Sequence, residues 1–193
     1  MTTAGPLPSW TDGPTRAAIT DFVTRVTTEG GVDYVPSAER VAVFDNDGTL
    51  WCEKPMPVEL GFILKRFAEQ AEADPSLRTR QPWKAARERD DHWLGEVITK
   101  HYHGDDSDVT VLMGGIVQAF AGMSVSEYEA AAREFLDGAQ HPTLGRRLKE
   151  ATYLPMVELL RFLEANGFVT YIASGGDRDF MRPVTHDIYG IPA

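Results

Sequence analysis

The sequence predicts an α/β fold, a Rossmann-like parallel sheet interrupted by a long α-helical insertion. Three observations carry that expectation. Two short apolar runs, Val41-Ala42-Val43-Phe44 and Phe168 to Ala173, are rich in β-branched and aromatic residues and have the length of strands. An amphipathic stretch from Pro155 to Ala165 stands directly ahead of the second run, and a helix joining two strands of one sheet implies a right-handed parallel crossover. Between the first run and that helix, from Pro55 to Leu148, no convincing strand occurs.

In chain order, Asp12-Gly13-Pro14 offers an N-cap candidate and a first-turn proline, and Ala18, Ile19, Phe22, Val23 and Val26 then recur at helical spacing up to Gly30-Gly31. The first strand follows Arg40. Neither strand alternates with polar residues, so both are expected to be buried on both faces. Further helices are expected over Val58–Ala73, Trp83–His101, Asp108–Ala121 and Ser126–Leu136, the last opened by a capping box from Ser124 to Glu127. The stretch from Val109 to Ser126 carries no charge. It is expected to be a buried helix, because Gly114, Gly115, Gln118, Gly122 and Ser124 interrupt it and a membrane span needs about 20 mostly apolar residues. Met156, Val157, Leu159, Leu160, Phe162 and Leu163 form the apolar face of the next helix, which Asn166-Gly167 stops. The expected division is an α/β core of residues 1–54 and 149–193, with residues 55–148 as the helical insertion.

Composition narrows the function. Nineteen basic against 29 acidic residues give a formal charge of −10. That balance opposes a nucleic-acid partner, because phosphate backbones recruit Lys and Arg. Cys52 is the only cysteine, which excludes an internal disulfide and makes the reducing cytosol the expected compartment. No basic flank followed by an apolar run opens the sequence, so neither a secretory signal nor a membrane partner is expected.

The chemistry is concentrated where the two strands end. The first runs into Asp45-Asn46-Asp47-Gly48-Thr49 and the second into Ser174-Gly175-Gly176. In parallel sheets ligands bind outside the carboxyl ends of the strands. Two carboxylates at i and i+2 repel one another, and a hard divalent cation such as Mg²⁺ relieves that repulsion. One carboxylate can attack phosphorus while its neighbour handles the proton of the leaving oxygen. Gly48 lets backbone approach an anion, Thr49 offers a hydroxyl, and Ser174 with the N–H groups of Gly175 and Gly176 can cradle phosphate oxygens. The plain alternative for Asp45 to Gly48 is a turn, since each residue favours turns. A calcium loop fails: with Gly48 in sixth place, the first ligand falls on Val43 and the bidentate one on Lys54.

These residues resemble the haloacid dehalogenase superfamily. Phe44 to Leu50 is similar to its first motif, a hydrophobic strand followed by Asp-x-Asp-x-Thr, and Ile172-Ala173-Ser174-Gly175-Gly176 is similar to its second, in the form used by the phosphoserine phosphatase-like branch. The resemblance implies that the helical insertion is a cap domain and that Mg²⁺ is the cofactor. It implies that Asp45 is the nucleophile and a metal ligand, and that Asp47 is the general acid and base with its carbonyl on the metal. Thr49, Ser174 and Gly175 would hold the phosphoryl group of a small phosphorylated metabolite. True dehalogenases lack the second aspartate, so Asp47 favours phosphate esters. The family's third motif, a Lys or Arg, and its fourth, an acidic pair, are not found after Ser174: no lysine follows Lys149, Arg178 and Arg182 lie on the next expected helix, and Asp187 is too close. The sequence is therefore expected to be the front of a longer hydrolase. An incomplete sheet edge inviting self-association goes with that expectation, and so does an alternative role as a catalytically incompetent binding or structural fragment.

Four smaller features complete the reading. His101-Tyr102-His103 is read as surface, because two histidines lack a clear third ligand. Cys52 is read as a packed thiol. Glu53, just past the first motif, is a candidate substrate contact. Trp51 either packs at a hinge or lines the pocket.

Overall fold

A computed structural model describes residues 5–192. Its elements run α1 (Pro14–Thr27), β1 (Val41–Phe44), α2 (Val58–Ala73), α3 (Trp83–Glu88), α4 (Asp91–Tyr102), α5 (Ser107–Phe120), α6 (Val125–Gly138), α7 (Leu154–Ala165), β2 (Val169–Ile172) and α8 (Arg178–Tyr189). The chain divides into two compact units, one made of the described residues up to Pro55 and from Leu136 onward, the other of Met56–Phe135.

In the first unit β1 and β2 pair in parallel, with Val41 opposite Val169, Ala42 opposite Thr170, Val43 opposite Tyr171 and Phe44 opposite Ile172. The mixed α/β class and the parallel crossover through α7 agree with the sequence expectation. Two apolar clusters pack on one face of this sheet. Val23 and Val26 of α1 meet Leu163, Phe168, Ala42 and Phe44, while Leu160 of α7 meets Leu50, Tyr189, Ile191, Phe44 and Ile172. The opposite face corrects the expectation of strands buried on both sides. Val41, Val43, Val169 and Tyr171 are 50–60 % exposed. The cause is geometric: α1 and α7 lie against the side carrying Ala42, Phe44 and Ile172, and strand side chains alternate between faces.

Helix α7 ends where Asn166-Gly167 was expected to stop it, with the Phe168 N–H returning to the Leu163 carbonyl at 3.1 Å. At the other end of the chain Asp12 does not cap α1. Gly13 holds that position without a side-chain hydrogen bond, and Asp12 instead reaches Arg16 one turn on at 3.9 Å.

The second unit is built around Ile63, Phe67, Ala71, Leu77, Trp83 and Ala119. The buried Trp83 indole donates to Gln70 Oε1 at 2.8 Å, which satisfies the one polar atom of that ring. The single helix expected over Trp83–His101 is two. Arg89 adopts a left-handed backbone at φ 54°, and the Asp90 carboxylate accepts from the Trp93 N–H at 3.1 Å. An aspartate that can cap a helix ends the preceding one. The expectation for the uncharged stretch is corrected as well. Helix α5 buries Gly115 and Ala119, while Val111, Met113 and Val117 are exposed. Among the described residues no single helix is long and apolar enough to cross a membrane.

Candidate active site

The ladder between the strands continues one residue past β2, the Ala173 N–H donating to the Phe44 carbonyl at 2.8 Å. Asp45 and Ser174 thus leave the sheet at neighbouring strand ends. Beyond that point the local structure is organised by Asn46, which is fully buried. Its carbonyl accepts the N–H groups of Thr49, Leu50 and Trp51 at 3.2, 2.8 and 3.3 Å. Its side-chain oxygen accepts from the Tyr189 hydroxyl at 3.2 Å, and its amide nitrogen donates to the Met181 sulfur at 3.1 Å. With the middle residue pinned inward, the flanking carboxylates behave differently: Asp45 is exposed and Asp47 partly buried.

The two carboxylates have distinct partners. Thr49 Oγ1 lies 3.5 Å from Asp45 Oδ2, a long hydrogen bond, so the threonine hydroxyl is turned to the first carboxylate. Asp47 Oδ1 accepts from the Trp51 indole at 2.6 Å. Burial, and secondly the charge of Asp47, push the Tyr189 hydroxyl well above the usual tyrosine range. Tyr189 therefore stays neutral and remains a donor to Asn46.

Gly48 has φ +75° and donates its N–H to the Trp51 carbonyl at 3.0 Å. A Cβ at that position would stand 3.2 Å from Glu53 Oε1. The Glu53 carboxylate thus rests on the first-motif loop, with Lys54 Nζ 3.6 Å from it.

At the second strand end Ser174 Oγ accepts the Gly176 N–H at 3.1 Å. The Gly176 N–H is turned to the serine rather than outward, and Gly175 is exposed. Ser174 and Gly176 line a cleft of about 440 Å³ with Arg178, Met181, Arg182 and Ile191 among its other walls. Asp179 lies 2.9 Å from Arg178 Nε and 3.9 Å from Arg182 Nη1, and the Arg178 hydrogen bond holds its carboxyl below the usual range. Helix α8 is opened by Asp177, whose carboxylate accepts the Asp179 N–H at 2.9 Å. Asp187 is exposed beside His186 on the same helix.

Mg²⁺ takes hard oxygen ligands and keeps several waters. The Asp45 carboxylate and the Asp47 main-chain carbonyl are donors of that kind, so the residues present fit such an ion. Among the described residues no group of three His, Cys, Asp or Glu side chains is placed to hold a metal. His101 and His103 are exposed and bonded locally, His101 Nδ1 to Asp106 at 2.6 Å and His103 Nδ1 to the Thr99 carbonyl at 2.7 Å. Cys52 is half-buried, its sulfur 3.8 Å from the Lys54 carbonyl.

Sequence reasoning singled out both aspartates and the serine, but missed Asn46. The signal was there: if residues i and i+2 leave a strand toward solvent, residue i+1 points inward. It also left Trp51 undecided between two roles, neither of which is a hydrogen bond to Asp47.

No curated protein matches this chain. Residues 39–193 match the family described as haloacid dehalogenase-like hydrolase. That stretch contains both strand ends and every residue of the site just described, and the chain belongs to the haloacid dehalogenase-like hydrolases.

Proposed function

We propose that this hydrolase is a phosphatase of the phosphoserine phosphatase-like branch, cleaving a small phosphorylated metabolite through an aspartyl-phosphate on Asp45. The observation that supports it is the pairing of two carboxylates, two residues apart at the end of β1, with a serine at the adjoining end of β2. The helical unit of Met56–Phe135 serves as the cap in this reading.

An Asp45 carboxylate oxygen forms the bond to phosphorus as the ester P–O bond breaks, and the leaving oxygen takes the proton of Asp47. Water then adds to the aspartyl-phosphate and gives its proton to Asp47. The P–O bond to Asp45 breaks, and the carboxylate is restored with release of phosphate. Thr49, Ser174 and Gly175 hold the phosphoryl oxygens. Asp45 and the Asp47 carbonyl would hold Mg²⁺, which when bound supplies positive charge against the phosphoryl oxygens. The second aspartate is what favours phosphate esters over carbon–halogen bonds.

The test is direct. The protein is assayed on an aryl phosphate with Mg²⁺, then quenched in acid during turnover and weighed intact. The expected result is turnover with one phosphoryl group on the protein, both abolished in Asp45→Asn, because an amide cannot attack phosphorus. Near wild-type turnover in that variant would remove Asp45 from its role.

A further inference from the structure

The residue that ties the proposed acid to the rest of the site lies just outside the first motif. Trp51 is 2 % exposed. Its indole N–H, the ring's one polar group, donates to Asp47 Oδ1 at 2.6 Å. The backbone brings the two together: the Trp51 N–H donates to the Asn46 carbonyl and the Trp51 carbonyl accepts from Gly48, which folds residue 51 back beside residue 47. The ring is held from a second side as well. It meets Phe180 edge-on, with centroids 6.5 Å apart, and Phe180 is a buried residue of α8, the helix that follows Ser174. The main chain on either side is fixed too, Cys52 N–H donating to the Ala151 carbonyl and Tyr153 N–H to the Leu50 carbonyl, both at 2.9 Å.

Such a ring does more than fill space. Any large apolar side chain could pack against Phe180, but the aliphatic side chains and phenylalanine carry no donor, whereas the indole carries an N–H. Once Oδ1 accepts the indole N–H, the proton that Asp47 gives and takes belongs on Oδ2. We infer that Trp51 is a positioning residue for the proton-transfer step, holding the Asp47 carboxyl in one rotamer with Oδ2 as the working oxygen. The inference rests on the proposed role of Asp47. In the phosphorylation step the Oδ2 proton passes to the leaving oxygen as that oxygen takes the electron pair of the breaking P–O bond. In hydrolysis the attacking water returns a proton to Oδ2.

The decisive variant keeps the shape and removes the donor: 3-benzothienylalanine at position 51, in which sulfur replaces the indole N–H. Trp51→Phe is made beside it, and both are checked for fold by circular dichroism and melting. Single-turnover phosphorylation is measured with an alkyl phosphate and with an aryl phosphate of good leaving ability. The expected outcome is a loss of about 10- to 100-fold on the alkyl ester, the size misplacement of a catalytic group produces, and little loss on the aryl ester, which needs no proton. In an Asp47→Asn background the same replacement should cost nothing further. Equal losses on the two esters, or losses that simply multiply with Asp47→Asn, would overturn the assignment. A separate readout needs no chemistry: the Trp51 indole N–H resonance should shift on Asp47→Asn, and an unmoved resonance also overturns it. If Asp45→Asn still turns over while the resonance shifts, it is the phosphatase reading that has failed, and the positioning role falls with it.

Discussion

At the residue scale the proposed reaction divides its labour between neighbours that differ in burial. Asp45 is exposed and can meet an incoming phosphorus, whereas Asp47 is partly sheltered and held by an indole. Asp47→Asn should therefore keep the fold while slowing both half-reactions, since positioned proton transfer contributes roughly 10²–10⁴-fold. Single-turnover rates on esters of graded leaving ability check this, with the smallest loss on the best leaving groups. Equal losses across the series would mean that Asp47 is not the acid. Gly48 makes a different case. Its φ of +75° strains any other residue, and a Cβ would also press on Glu53 at 3.2 Å. The two contributions can be separated, because the end of a glutamate side chain can move and the backbone cannot. Gly48→Ala should lower stability by about 1–2 kcal/mol, the cost of a left-handed backbone to a residue with a Cβ, and adding Glu53→Ala should not restore it. Restoration in the melting temperature would show that the contact with Glu53, rather than the backbone, was the cost. That the aspartates and Ser174 meet at neighbouring strand ends was legible in the sequence, because the two apolar runs mark where the strands stop. The inward turn of Asn46 could be read from strand alternation, but its bonds to Tyr189 and Met181 could not, since those partners lie far along the chain. Neither could the Trp51 hydrogen bond, which a loop closure sets.

At the scale of elements, what could be read was whatever the chain decides locally. The limits of α2, the Asn166-Gly167 stop and the Ser124–Glu127 capping box all follow from residues a few positions apart. The break between α3 and α4 escaped, since Asp90 competes with a continuous apolar pattern. The half-bare strands escaped because an all-apolar run does not say how many of its faces are covered. Two predictions belong here. In the capping box the Ser124 N–H, and then its hydroxyl, hold the Glu127 carboxyl below the usual range. A depressed carboxylate pKa contributes stability that is present above the unfolded value, about 4.5, and is lost as pH falls through the folded one. Glu127→Gln should flatten that acid-side decline in thermal melts. An unchanged slope would leave Glu127 without a role in it. Gly115 supplies the second. A Cβ there would stand 2.5 Å from Pro82 Cγ, with Phe67 also near at 3.4 Å. Alanine gains about 1 kcal/mol of helix propensity over glycine, while overpacking typically costs about 1–3 kcal/mol. The clash should win, and Gly115→Ala should melt lower than the parent. A higher melting temperature would mean that Pro82 yields without strain.

At the scale of the whole molecule the conspicuous feature is the bare side of the sheet. Among the described residues the sheet has two strands, and two-stranded sheets are marginal in water without further packing. One face is covered by α1 and α7, while the other presents Val41, Val43, Val169 and Tyr171, each at least half exposed. An exposed apolar face bounded by open strand edges favours association. The charge of −10 opposes it, since like-charged copies repel and salt screens that repulsion. Light scattering should therefore show these 193 residues associating with rising concentration, and more strongly as salt is added. Charge and apolar surface can be told apart through the strand register. Val43 and Tyr171 face one another across the pair, so Val43→Lys with Tyr171→Glu places opposite charges side by side and leaves the net charge unchanged. If the apolar face drives association, this double variant stays monodisperse at concentrations where the parent does not, and it keeps the parent's melting behaviour. If it associates like the parent, the contact lies elsewhere. If it disperses but also loses its cooperative melt, the face is holding the sheet together within one molecule instead of joining one molecule to the next.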